Sequence, residues 1–166
     1  MYTPKTLKHF KKPHNYGKIK NPDGIGKVGN IICGDVMWLY IKIGKNKKVP
    51  PYQRGVKKGG EIIKDVKFET FGCVAAIAAS SVITDLAKGK TIKDALKITR
   101  EKVVNSLGGL PPIKIHCSIL AVDALVEAIY DYLSKNKKRV PEKLKQQHQR
   151  INRERKLIEK KYKDFL

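Results

Sequence analysis

The sequence is poor in cysteine, tryptophan, methionine and acid. Of 166 residues, three are Cys, one is Trp, two are Met and 15 are Asp or Glu. Three cysteines cannot all pair, and an odd count without a secretion signal argues against a disulfide framework. A reducing cytoplasm is the expected setting, with the thiols free for metal or catalysis. No apolar run approaches the roughly 18 residues of a membrane-spanning helix. Met1-Tyr2-Thr3-Pro4-Lys5 has no apolar stretch of the kind that opens a secretory signal. The shortage of acid against 36 Lys and Arg leaves a formal net charge of +21. That excess is uneven. Residues 1–133 carry 23 basic and 11 acidic residues, a net of +12, and residues 134–166 carry 13 and 4, a net of +9 in a fifth of the length. Such a tail could contact nucleic acid or an acidic surface. No nucleic-acid motif accompanies it, so a solvated helical extension is the expectation.

The composition, 41% hydrophobic, is enough for one domain with a real core. Thr3-Pro4 is a helix start, an N-cap residue followed by proline at the first helical position. Pro4 to Lys11 then reads as a short helix with Leu7 and Phe10 as its inward pair. Pro13, Gly17, Pro22, Gly24, Gly26 and Gly29 follow closely and read as an irregular arm. In Val36 to Ile43, Met37, Leu39, Ile41 and Ile43 alternate with Trp38, Tyr40 and Lys42, the pattern of a strand. Residues 44–60 read as a long exposed hairpin loop. Glu61 to Thr70 alternates again, with Ile63, Val66 and Phe68 inward and a parity slip that calls for a bulge.

From Val74 the pattern is helical. Ala75, Ala78, Ala79, Val82, Ile83 and Leu86 trace one face, and Gly89 is the stop. Thr91-Ile92-Lys93-Asp94 has the form of a capping box and opens a helix to about Ile98. A further turn covers Glu101 to Leu107, and Gly108-Gly109 closes it. Leu110-Pro111-Pro112 is extended. Cys117 to Leu133 has the spacing of a core helix. Pro141 to Asp164 favours helix by propensity but carries a thin apolar stripe, suited to lying loosely on the domain or extending into solvent. The sum is an α+β fold: a small antiparallel sheet of about three strands, several helices, and a basic helical extension. Residues 1–133 form the domain and 134–166 the extension.

The three cysteines lie 40 and 44 residues apart, too far to share a loop. Each falls at an element end: Cys33 before the first long strand, Cys73 between a strand and a helix, Cys117 at the start of another helix. Asp35 and His116 stand beside two of them. Thiolate and imidazole together suit zinc and iron–sulfur clusters. Helix N-termini at Cys73 and Cys117 should lower the thiol pKa. Gly34 and Gly72 remove bulk beside the ligands. Structural zinc usually takes paired Cys-x-x-Cys clips, and stable ferredoxin-type clusters take four cysteines. Here the fourth ligand would be Asp35 or His116, which suits transient holding. His9, His14 and His148 have no cysteine near them in sequence and read as surface or packing residues, as does Trp38. A thiol enzyme built on Cys117 and His116 is a rival reading, but adjacent residues rarely present that geometry. A zinc-stabilised binding or regulatory module with a basic tail is the other.

Three long segments resemble the IscU/NifU-type iron–sulfur cluster assembly scaffolds. They are Val28 to Met37 around Cys33-Gly34-Asp35, Thr70 to Ser81 around Phe71-Gly72-Cys73, and Leu110 to Ala121 around His116-Cys117-Ser118. His9-Phe10 with Pro13 to Gly17 resembles the family's N-terminal arm. The resemblance runs from about Leu7 to Leu133. It leaves Lys45 to Gly60 and 134–166 outside the family core. It implies a scaffold, not an enzyme, that accepts sulfur from a cysteine desulfurase, binds iron, assembles a [2Fe-2S] cluster and passes it to apo iron–sulfur acceptor proteins. By motif position it implies Cys33, Cys73 and Cys117 as thiolate ligands and Asp35 as a labile fourth. His116 would be an alternative ligand and Cys117 the first sulfur acceptor. Zinc in the cluster-free form, an Hsp70-type chaperone contact through Leu110 to Lys114, and a homodimer in the cluster-bound form complete the implied properties.

Overall fold

In a computed structural model that describes residues 1–46 and 60–163, the two alternating segments pair as expected. β2 (Val36–Lys45) and β3 (Glu61–Phe71) are antiparallel, and Met37, Leu39, Ile41, Ile63, Val66 and Phe68 are fully buried. The bulge falls where parity slips. Lys42 pairs with Asp65 and Ile43 with Ile63, so Lys64 has no partner of its own. Most of the expected 44–60 loop, residues 47–59, lies outside the described residues.

The glycine-rich arm is not irregular throughout, because Gly24–Gly29 forms β1, paired antiparallel with β2 at the edge of the sheet. Its glycines are there for packing. A Cβ at Gly24 or Gly26 would lie 2.2 or 2.0 Å from the carbonyl oxygens of Ala128 and Ala124. Bare backbone is what lets a helix lie directly on this strand.

That helix is α5 (His116–Lys135), and it covers the sheet together with α2 (Val74–Ala87). Around them stand α1 (Pro4–Lys11), α3 (Ile92–Ala95) and α4 (Arg100–Ser106). α3 ends sooner than expected, and its Thr91–Asp94 capping pair is present. Leu110-Pro111 runs extended into a 3-10 turn, Pro112–Lys114. The inward residue of α1 is Thr6, fully buried, whereas Leu7 and Phe10 remain partly exposed. The reason is polar: the hydroxyls of Thr3 and Thr6 both reach the Leu107 carbonyl at the end of α4. Docking α1 satisfies an end-of-helix acceptor that would otherwise need water.

The basic extension does not stand in solvent. α6 (Glu142–Lys161) packs against α5 and β1. Its Leu144, Ile151 and Ile158, seven residues apart, are all buried. The stripe is thin because a strict seven-residue seam is narrow.

Candidate metal and cluster site

Pairing of Val36 with Phe71 puts the start of β2 beside the end of β3. The loops holding Cys33-Gly34-Asp35 and Gly72-Cys73 therefore meet at one end of the sheet. The first loop is built by Asn30. Its side-chain oxygen accepts from the N–H of Ile32 and Cys33, and its backbone carbonyl accepts from Gly34. Gly34 turns the chain at φ +73°, a conformation that favours glycine. Cys73 is the N-cap residue of α2, and Cys117 lies in the first turn of α5.

These elements bring all five expected residues together in two overlapping groups. Ligand atoms of Asp35, Cys73 and Cys117 lie within 4.8 Å of one another, as do those of Cys33, Asp35 and His116. Asp35 belongs to both. Cys73 Sγ is 3.7 Å from Cys117 Sγ, and Cys117 Sγ is 3.9 Å from Asp35 Oδ2. A disulfide would need about 2.05 Å between the sulfurs. Two thiolates bound tetrahedrally at about 2.3 Å from one metal ion lie roughly 3.8 Å apart, so this spacing is that of shared ligands.

The electrostatics also describe a place for a cation. Asp35 is 7% exposed and has no ion-pair partner among the described residues. His116 Nε2 is buried without a hydrogen-bond partner. An unpaired buried carboxylate and an orphaned imidazole nitrogen are both costly alone, and a metal ion satisfies both. Gly72 keeps the space open. A Cβ there would lie 2.9 Å from Ala76 Cβ and 3.0 Å from Asp35 Cγ.

The expected lowering of thiol pKa by helix N-termini is overturned at Cys117. Burial pushes this thiol above the ordinary range, and the nearby Cys73 and Asp35 push it the same way. Burial within the loop also raises Cys33, although that residue as a whole is exposed. The metal-free site therefore stores protons that an incoming metal must displace.

Three further residues reach the site, and two of them, Tyr2 and Tyr162, lie outside every motif segment. Tyr2 packs on the small cluster of Ala75, Ala76 and Cys117, with Cys73 at its edge. Lys114 has a raised pKa, chiefly through the charge of Cys73. Tyr162, after the last turn of α6, brings its hydroxyl 3.5 Å from where a Gly34 Cβ would stand. Sequence spacing carries no signal for these contacts, since each joins segments far apart in the chain.

Among the described residues no helix is long and apolar enough to cross a membrane. The model of the NifU-like N terminal domain matches residues 1–139. Relatives include "Iron-sulfur cluster assembly scaffold protein IscU 1" of Archaeoglobus fulgidus, 53% identical over 138 residues, which are 83% of this chain and 80% of that one. The Aquifex aeolicus protein named "Iron-sulfur cluster assembly scaffold protein IscU" is 42% identical over 134 residues, 81% of this chain and 77% of its own. In fold the chain is similar to the crystal structure of a NifU-like protein's N-terminal part from Brucella abortus, with a TM-score of 0.56 and 18% identity over 80% of this chain and 94% of that one. With the family match spanning the sheet, α1 to α5 and every ligand segment, the chain belongs to the family of the NifU-like N terminal domain.

Proposed function

We propose that this protein is an iron–sulfur cluster assembly scaffold, with the cluster as its cargo rather than a resident cofactor. The observation that carries the reading is the unpaired acid Asp35, buried between Cys73 and Cys117 with an orphaned His116 Nε2 nearby. The names of its relatives support the same assignment. Residues 1–133 are the scaffold domain and 134–166 an appended helix.

Cys33, Cys73 and Cys117 supply thiolates for iron and for a [2Fe-2S] cluster. Asp35 is the fourth ligand and His116 the alternative. A carboxylate binds iron in such a cluster less tightly than a thiolate does, which suits release to apo-proteins. Zinc occupies the same donors in the cluster-free form. Cys117 is the sulfur acceptor. Its thiolate attacks the outer sulfur of a desulfurase persulfide, the new S–S bond forms, and the donor cysteine leaves as thiolate. At 1% exposure, Cys117 can be reached only when a neighbouring loop moves. The Cys33 loop is the one best suited, being exposed and held largely by Asn30. The partners are a cysteine desulfurase, apo acceptor proteins and an Hsp70-type chaperone at Leu110 to Lys114, where Ile113 is 78% exposed. A homodimer holds the cluster, and the setting is cytoplasmic. The protein turns over no substrate of its own.

Anaerobic reconstitution with iron and sulfide, followed by absorbance and Mössbauer spectroscopy, tests the reading. A [2Fe-2S] chromophore is expected in the native chain and lost in Cys73→Ala. A cluster unaffected by that change, or none in the native chain, contradicts it. Asp35→Ala should give a longer-lived cluster that transfers slowly to an apo-ferredoxin. Faster loss with unimpaired transfer would remove Asp35 from the ligand set.

A further inference from the structure

A second set of metal-ligand side chains lies at the far end of α2 from Cys73. His9, near the end of α1, His14, in the turn that follows, and Asp85, in the last turn of α2, each place one ligand atom within 4.8 Å of the others. The two rings are 4.7 Å apart between centroids.

Both rings are held by their Nδ1 atoms. His9 Nδ1 lies 2.8 Å from Ser81 Oγ, and His14 Nδ1 lies 2.7 Å from Asp85 Oδ2. A metal ion shared by His14 and Asp85 would take the place of the proton between them, because a carboxylate bonded to one ring nitrogen cannot also reach an ion held at the other. The backbone is fixed as well. The His14 N–H donates to the same Ser81 hydroxyl, and the Asn15 side chain donates to Thr84 and to Asp85 Oδ1. Asn15 itself sits at φ +57° to make the turn. His9 is half-buried, while His14 and Asp85 are exposed, so the site is open to an ion and to water.

We propose that His9, His14 and Asp85 form a second divalent-metal site, separate from the cysteine site, for zinc(II) or iron(II). Two imidazoles and a carboxylate with open positions suit both ions. Bound there, the ion ties the N-terminal arm to α2, the helix whose other end carries Cys73. This site stands independently of the scaffold reading.

Zinc(II) and, under anaerobic conditions, iron(II) are titrated into separate samples of the full chain. Metal content after dialysis and histidine ring signals in NMR are followed. The expected result is a second equivalent of metal that shifts or broadens the His9 and His14 signals and leaves His148 unmoved. The arm with the higher occupancy identifies the ion. His14→Gln and Asp85→Asn should each weaken the second equivalent by about 10- to 100-fold while the first remains. A single equivalent in both arms that leaves the His9 and His14 signals unmoved overturns the proposal. So does a second equivalent that persists at full strength in both variants. Should a variant misfold by circular dichroism, the native chain decides alone: unmoved His9 and His14 signals at excess metal overturn the site. Loss of the first equivalent instead would count against the cysteine site only.

Discussion

Asp35 at the ligand site and Asp123 and Glu127 on the α5–α6 seam are buried to similar depth, at 7%, 7% and 5% exposure. On the seam each acid has a basic side chain from α6 as its partner. Arg150 makes two bonds to Asp123, at 2.8 and 3.1 Å, and His148 Nδ1 meets Glu127 at 2.8 Å while its ring stacks on Tyr130. Asp35 has sulfur near it and, among the described residues, no ion-pair partner. Two buried acids with built-in partners hold elements together, and the third lies beside thiols without one. The difference lies in the neighbours, since burial alone would rank all three alike.

The strongest way to press this comparison is to truncate apolar side chains in both regions. Ile151→Ala on the seam should cost about 2–4 kcal/mol in urea unfolding, the range for a buried isoleucine. Ile113→Ala beside the ligands should stay within about 0.5 kcal/mol, as an exposed surface change does. Similar costs at the two positions would show that α6 contributes no more to the fold than the ligand rim.

Amide substitutions sharpen the point about charge. Asp123→Asn leaves Arg150 with only the longer contact to Glu154, 3.5 Å, and should cost about 2 kcal/mol, less than a fully buried pair because Arg150 is 41% exposed. Asp35→Asn should leave the metal-free protein unchanged or slightly more stable, since it removes a buried carboxyl group that has no ion-pair partner among the described residues. The same variant should bind zinc at least about tenfold more weakly, read by chelator competition. Equal destabilisation by the two changes would mean that Asp35 is a structural acid like Asp123.

The smallest effect is expected at Glu61, the first residue of β3. Its carboxylate accepts from Lys138 at 2.5 Å, and this ammonium holds it below the ordinary carboxylate range. A lowered folded pKa stabilises above the ordinary Glu value, and that stability is lost as pH falls through the lowered one. The pair is about 40% exposed, so the gain is under about 1 kcal/mol. Lys138→Ala should flatten the acid limb of the urea midpoint against pH by that amount and leave the midpoint unchanged at pH values below the lowered one.

Local patterns made several elements readable. The Thr3 and Thr91 caps, the alternation of β2 and β3, the bulge, and the stop at Gly89 all depend on residues within one or two turns of each other. β1 was hidden because glycine in a strand looks like a turn until the helix above it is known. The inward face of α1 was misread because Thr6 is buried by a carbonyl contributed from residue 107. His9 and His14 read as surface or packing residues, and only the fold shows that α2 brings Asp85 beside them.

By itself the sequence determined the chemistry available: three thiols at element ends, Asp35 and His116 beside them, and a soft donor set one cysteine short of a permanent cluster site. Tertiary structure decided which groups share a point, which buried acids find cations, and how protonation at Cys117 is biased. Spacing along a chain says nothing about these, because desolvation and Coulomb energy depend on distances that exist only after folding.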